Sequence, residues 1–252
     1  MISEGYTNKN SFAYQLDPRV KIVAVFFFSV IVAVSNRFVA LSAALTLALC
    51  AVMLAKVAPK EFVRRLIPVN IFILFLWIFL PFSTQGKPLL AIAGLVATYE
   101  GVIYAAQITI KSNAIMAALI VLISSTPILT LGHALHELKV PQKLIHLFFF
   151  TYRYIHVIHR EYLRLLNAMK VRAFNPGTNM HTYKTFAHLV GMLLVRSSDR
   201  AERVHNAMLC RNFTGRLYSL KHFSFNRTDC LSLFVTLSLI AALGLLEWTR
   251  IM

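Results

Sequence analysis

The sequence predicts an all-α integral membrane protein: about five transmembrane helices joined to long amphipathic cytoplasmic helices. Three observations predict it. First, 58% of the 252 residues are hydrophobic and only 14% are charged, with a mean hydropathy of +0.64; a soluble domain carries about 25% charged residues. Second, five apolar runs approach the roughly 20 residues a helix needs to cross a hydrocarbon core about 30 Å thick. Third, 26 Lys and Arg against 10 Asp and Glu give a net charge of +16, and the cations gather between the runs. This composition excludes a disordered chain and a disulfide-stapled secreted scaffold. It is also foreign to an ordinary soluble enzyme. An apolar chain this basic is a polytopic membrane protein or a membrane-bound partner of something acidic.

The first run, Val20 to Ser35, is short, but Lys21 and Arg37 can snorkel to opposite interfaces. Ala33 and Ser35 resemble a signal-cleavage site. A second run, Phe38 to Ala55, follows after only Asn36 and Arg37, so the first is read as a retained helix and the two as a tight helical hairpin. The third run, Pro68 to Phe82, contains Trp77. It is preceded by Lys56, Lys60, Arg64 and Arg65, a cluster suited to anionic headgroups. The fourth, Tyr99 to Ser125, is interrupted by Lys111, Ser112 and Asn113. An intramembrane cation is a functional candidate; Lys111 is read as an interhelical hydrogen-bonding group or as a contact to a partner subunit. The fifth run, Leu231 to Trp248, has Trp248 and Arg250 as an interfacial anchor. Cys50, Cys210 and Cys230 form no CxxC and read as free thiols in a reducing compartment.

The cations orient the spans. With the N-terminus inside, residues 1–21, 56–65 and 127–228 are cytoplasmic and hold 22 of the 26 Lys and Arg. Arg37, Lys87 and Arg250 fall outside, and Lys111 lies within a span. The positive-inside rule therefore predicts a cytoplasmic N-terminus and an external C-terminus in a cell membrane. The expected organisation is a four-span membrane domain over 1–126, a cytoplasmic segment over 127–228 and a last span over 229–252.

Segment 127–228 reads as amphipathic helices. Pro127 and Pro141 bracket a helix over Leu129 to Leu138. A helix from Gln142 to about Phe174 begins with a nearly all-apolar stretch, Leu144 to Phe150, and continues through Arg153, Arg160, Arg164, Lys170 and Arg172 until Asn175-Pro176-Gly177 stops it. A further helix spans about Thr182 to Phe213 and stops near Thr214-Gly215. Helices with so little polar surface must pack on something and leave an apolar stripe for a partner.

The most specific feature is a duplication. Residues 167–174 read NAMKVRAF and residues 206–213 read NAMLCRNF, five of eight positions matching. Each copy sits at the C-terminal end of a predicted helix, where the macrodipole favours a cation. Ala168 and Ala207 allow close approach to a surface. Met169 and Met208 suit an irregular groove. Arg172 and Arg211 each offer a bidentate fork to a carboxylate. Two copies of one docking surface imply two copies of one partner site, or two related sites.

These motifs, with Leu16-Asp17-Pro18-Arg19-Val20-Lys21 before the first span and Glu100-Gly101 before the fourth, resemble the transmembrane T component of energy-coupling factor transporters, ABC-type importers of micronutrients. The resemblance covers most of the chain. In many members each motif is Ala-Arg-Gly; here they are Val171-Arg172-Ala173 and Cys210-Arg211-Asn212, so only the arginine is kept. Phe150-Thr151-Tyr152-Arg153-Tyr154-Ile155 is more like the cobalt and nickel branch than the vitamin branch.

The resemblance implies two coupling helices that cross like an X. Each would end in a groove of one of two ATPase subunits, with the motif arginine on an acidic group. The helices would transmit ATPase closure to a substrate-binding membrane subunit. The chain would itself hold no cofactor, ATP being bound by the partner ATPase, and would be no enzyme. Consistent with this, it has no GxxxxGK[ST] loop, no HExxH and no recognisable nucleophile setting.

Other readings account for less. A T subunit of a vitamin importer fits the same motifs. A self-contained metal permease would place histidines inside spans, yet all nine lie in 127–228: His133, His136, His146, His156, His159, His181, His188, His205 and His222. The i,i+3 pairs His133/His136 and His156/His159 could share a helix face, but they are read as interface histidines and no metal site is expected. A nucleic-acid or anionic-lipid binder explains the charge but not the duplication; the bilayer is an expected partner and nucleic acid is not.

Overall fold

The structure, a computed structural model, describes residues 16–84, 87–92, 95–213 and 227–248. The elements are α1 (Pro18–Val34), α2 (Phe38–Leu54), α3 (Pro59–Ser83), β1 (Pro88–Ile92), β2 (Leu95–Thr98), α4 (Tyr99–Ser125), α5 (Ile128–Glu137), α6 (Gln142–Val171), α7 (Met180–Leu209) and α8 (Arg227–Trp248). Helices dominate, as expected. The short antiparallel β1–β2 hairpin, with Ala91 opposite Val96, departs from an all-α chain. Its residues are mostly β-compatible Leu, Ile, Val and Thr. The chain divides into two units, the boundary falling within α5 after Ala134. The expected stop at Thr214-Gly215, His222 and the Arg250 anchor lie outside the described residues.

The first unit holds α1–α4, the hairpin and α8. Asp17 starts α1 as an N-cap, accepting from the Arg19 backbone N–H at 2.9 Å, and Pro18 fills a position where no N–H is needed. This is the physical content of the Leu16–Lys21 motif. α1 runs antiparallel along the second half of α4. Lys21 Nζ donates to the last carbonyl of α4, Ser125, at 3.4 Å. At the other end, Lys111 Nζ reaches back to the Ala33 carbonyl at 3.0 Å.

The expected tight hairpin of α1 and α2 is not how these helices pack. Both lie chiefly on α4 and α8 rather than on each other. The extended residues Ser35 and Arg37 splay them apart. The core joins Phe28 and Val32 of α1, Leu41, Ala44, Ala48 and Val52 of α2, Ala114, Ala117 and Ala118 of α4, and Ile240 and Leu243 of α8. Alanines facing alanines let α2 and α4 approach closely, the packing mode favoured where lipid removes the hydrophobic drive.

α3 begins nine residues earlier than the predicted run. Pro59 occupies its first turn, and Pro68 lies inside the helix rather than at its start. Lys60, Arg64 and Arg65 therefore sit on α3 itself. Arg65 pairs with Glu61 one turn away at 3.2 Å and donates to Ser124 of α4 at 2.9 Å. Further along, the Asn70 and Asn113 amides bond reciprocally at 3.2 Å, Trp77 Nε1 donates to Thr109 Oγ1 at 2.9 Å, and Thr84 meets Thr98 at 2.8 Å. The outward side of α3 exposes Ile71, Phe72, Phe75, Ile78 and Phe79. α3 and α4 are both long and apolar enough to cross a membrane; α2 and Leu231–Leu245 are shorter apolar helices.

In the second unit, α6 and α7 run antiparallel. Phe174, just beyond α6, stacks edge-on against Phe186 early in α7, ring centres 5.9 Å apart. The intervening turn is tied by the Gly177 N–H donating to Thr182 Oγ1 at 3.1 Å.

Candidate functional site

The duplicated octapeptides end their helices with the same pattern of backbone hydrogen bonds. In the first, the Phe174 N–H donates to the Met169 carbonyl at 3.1 Å and the Ala173 N–H to that of Lys170 at 3.0 Å. In the second, the Phe213 N–H donates to the Met208 carbonyl and the Asn212 N–H to that of Leu209, both at 3.0 Å. These paired six-to-one and five-to-two bonds are the Schellman ending of a helix. It requires a left-handed residue, and Ala173 and Asn212 supply it, each at φ 58°. The third position of the Ala-Arg-Gly motif is thus where glycine is conformationally favoured. Asparagine tolerates it, and alanine carries strain. Lys56 (φ 49°) and Lys139 (φ 60°) follow α2 and α5 in the same left-handed region.

The ending determines which side chains face outward. Ala168, Val171 and Arg172 are exposed in the first copy; Ala207, Cys210 and Arg211 are exposed in the second. Met169 and Met208 are half-buried, as are Phe174 and Phe213. Val171 is 88% accessible. Among the described residues, neither the Arg172 nor the Arg211 guanidinium has an ion-pair or hydrogen-bond partner. Two exposed cations stand at two carbonyl-rich helix ends, a geometry able to receive two carboxylates.

Between these ends lies a carboxylate that the sequence reading passed over. Glu161 of α6 accepts from Arg164 at 3.2 Å and from Arg196 of α7 through a short contact. Its side chain is 13% accessible. The Arg196 hydrogen bond holds the Glu161 carboxyl below the usual glutamate range; partial burial opposes this and the Arg164 charge adds to it. Beyond the pair, the first half of α6 and the second half of α7 diverge around a cleft of about 440 Å³, lined by Phe150, Tyr154, Ile158, Val204, Met208 and Phe213 among others. The signal was present in the sequence: Glu161 is the only acidic residue between Glu137 and Asp199.

Lys111 belongs to the first unit. Besides the Ala33 carbonyl it donates to Asn36 Oδ1 at 3.0 Å, while Gln107 Nε2 donates to the Asn36 carbonyl at 2.7 Å. From α8, the Glu247 carboxylate accepts from Ser35 Oγ at 2.7 Å and from the Asn36 N–H at 3.0 Å. The α1–α2 turn is therefore gripped by a cation from one helix and an anion from another. The histidine pairs lie on α5 and α6, where His156 and His159 meet Tyr152 and Tyr162 rings. No group of three or more His, Cys, Asp or Glu suited to a metal occurs among the described residues.

Apolar helices of membrane-spanning length joined to an amphipathic pair define a helical membrane protein. Residues 9–222 match the family model described as the cobalt transport protein CbiQ, and the chain belongs to that family. It is 28% identical over 265 aligned positions to the energy-coupling factor transporter transmembrane protein EcfT of Listeria innocua, covering 99% of this chain and 98% of that one. An uncharacterized protein of Methanocaldococcus jannaschii is 24% identical over 250 residues, 97% of this chain and 86% of its own. The cobalt transport protein CbiQ of Rhodobacter capsulatus is 27% identical over 142 residues, 55% of this chain and 58% of its own. The resemblance to T components of energy-coupling factor importers, cobalt and nickel branch, is borne out.

Proposed function

We propose that this chain is the coupling subunit of an ATP-driven importer of cobalt or nickel ions. Arg172 and Arg211 dock on acidic groups of two ATPase subunits, with Ala168, Met169, Ala207 and Met208 shaping the contact. The chain contributes no catalytic group; ATP is bound and hydrolysed by the partners. Its membrane unit carries the motion to a substrate-binding membrane subunit. Five spans with the N-terminus cytoplasmic and the C-terminus outside follow from the distribution of Lys and Arg.

The observation that carries this reading is the equivalence of the two helix ends: the same backbone bonds, the same left-handed residue and the same exposed arginine. A lone exposed arginine could merely complement its own helix dipole. Two matched ends fit a partner present in two copies. The family description and the Rhodobacter relative support a metal substrate.

The test is co-expression of Arg172→Glu, Arg211→Glu and the double variant with ATPase and substrate-binding subunits of the importer. Losing one member of a desolvated Arg–carboxylate contact costs roughly 2–5 kcal/mol. Each single variant is expected to retain less ATPase on purification and the double variant almost none, with uptake of labelled cobalt falling in parallel. Undiminished ATPase on the double variant sinks the reading. Uptake of a labelled vitamin in place of cobalt or nickel by the unaltered complex would reassign the substrate while leaving the coupling role.

A further inference from the structure

We propose that Glu161 is the positioning residue of the α6–α7 pair: through Arg196 it fixes the point about which both arginine-bearing ends turn. The inference builds on the docking reading only in what the ends are for; the geometry stands without it.

α6 and α7 hold nine Lys and Arg against three acids, and Glu161 is the only acid on α6. Two helices so charged repel at close range. Glu161 is placed where that repulsion must be offset. It is largely shielded, and it faces Arg196 across the helix pair and Arg164 one turn along its own helix. On one side of this pair the helices are held by the Phe174–Phe186 ring contact and the Gly177–Thr182 bond. On the other side the cleft separates them. The ion pair therefore sits where close packing stops.

Its position makes it a fulcrum. Arg172 lies 11 residues beyond Glu161 on α6, and Arg211 lies 15 beyond Arg196 on α7. At 1.5 Å per helical residue the arms are about 16 Å and about 22 Å long. Because the helices are antiparallel, the arms point away from each other, and a rotation about the pair swings both ends. Without the pair, nothing among the described residues ties α7 to α6 along the cleft except the apolar lining. The cleft can then change width, and the distance between the ends is no longer a single value.

The experiment uses the full chain in lipid nanodiscs with Cys50 and Cys230 replaced by Ser. Spin labels are placed on native Cys210 and on Val171→Cys, each beside one arginine. Pulsed electron spin resonance then reads the end-to-end distance with no ATPase present. The unaltered pair should give one narrow distribution. Glu161→Gln and, independently, Arg196→Gln should broaden it and shift its mean. The exchanged pair, Glu161→Arg with Arg196→Glu, should narrow it again, which a loss of packing volume would not do. Circular dichroism confirms that helix content is kept. In the assembled transporter Glu161→Gln should raise ATP hydrolysed per ion imported. Distributions unchanged in both single variants overturn the proposal. Intact ATPase binding by the Arg172→Glu, Arg211→Glu double variant overturns the docking reading instead, and leaves the distance result untouched.

Discussion

Ala173 and Asn212 adopt the same left-handed backbone, φ 58° in each, although 39 residues and a whole helix separate them. Each is the turning point of a Schellman ending, and each directly follows an exposed arginine. The side chain therefore matters less here than the handedness. Left-handed alanine costs roughly 1–2 kcal/mol, of which glycine returns part through a more flexible unfolded chain. Ala173→Gly should stabilise the chain by about 0.5–1 kcal/mol, whereas Asn212→Gly should change it by less than about 0.5 kcal/mol. Thermal unfolding in detergent, run side by side, checks the order; a lower Tm for Ala173→Gly would contradict it.

Gly101 opens α4 against the end of α3. A Cβ built there would lie 2.7 Å from the Leu80 carbonyl oxygen, 2.7 Å from Pro81 Cα and closer still to Thr84 Oγ1. Two of these are backbone atoms that cannot rotate away. Gly101→Ala should force the helices apart at a cost of about 1–3 kcal/mol, typical of overpacking. Gly191 has nothing within 4 Å of such a Cβ, so Gly191→Ala should be neutral or slightly stabilising through helix propensity. Comparing the two Tm values tests whether Glu100-Gly101 is a packing requirement.

Lys111 satisfies the Ala33 carbonyl and Asn36 Oδ1 together. Lys111→Met keeps the stem and removes the donor, leaving acceptors without a partner at the α1–α2 turn. Both bonds are exposed, so the expected loss is about 0.5–1.5 kcal/mol, seen as a lowered Tm. Normal ATPase co-purification at permissive temperature should accompany it, since the arginine ends belong to the other unit. Selective loss of partner binding with unchanged Tm would show that Lys111 serves a subunit contact instead.

Protonation of Glu161 should loosen the α6–α7 pair. Its folded pKa lies below the ordinary glutamate value because the ion pair favours the carboxylate. The stabilisation is therefore fully present above the unfolded pKa and is lost only as pH falls through the lower, folded value. The label-to-label distance should be constant from neutral pH down through the ordinary glutamate range and broaden below it. Broadening already near neutral pH, well above that range, would show that Glu161 is not the group responsible.

The helices were legible because apolar runs and their stops are local. Gln142 after Pro141 and Tyr99 through Ser125 stand where the pattern places them. Pro68 misled: proline usually marks a helix start, yet α3 carries it in its interior, behind a first turn already set by Pro59. The β1–β2 hairpin is too short for alternation to stand out. The duplication was visible as letters, and its arginines could be singled out. That Ala173 and Asn212 are left-handed was not, since neither residue announces it as glycine would. Glu161 was conspicuous as a lone acid, but its partner lies 35 residues away, and which residue a turn of that length returns to is decided by packing rather than spacing. The pairing of α1 and α2 failed for the same reason: nearness in sequence says nothing about α4 and α8 taking the space between.

α1 has 17 residues and α4 has 27, so they are about 25 Å and about 40 Å long. The turn after α1 meets Gln107 and Lys111, halfway along α4. One flank of the membrane unit is consequently much shorter than the other. In a bilayer, acyl chains along that flank would have to tilt or compress to meet it, while those along α3 would remain extended. Such an uneven rim would make the depth at which a neighbouring subunit settles depend on the chain length of the surrounding lipids.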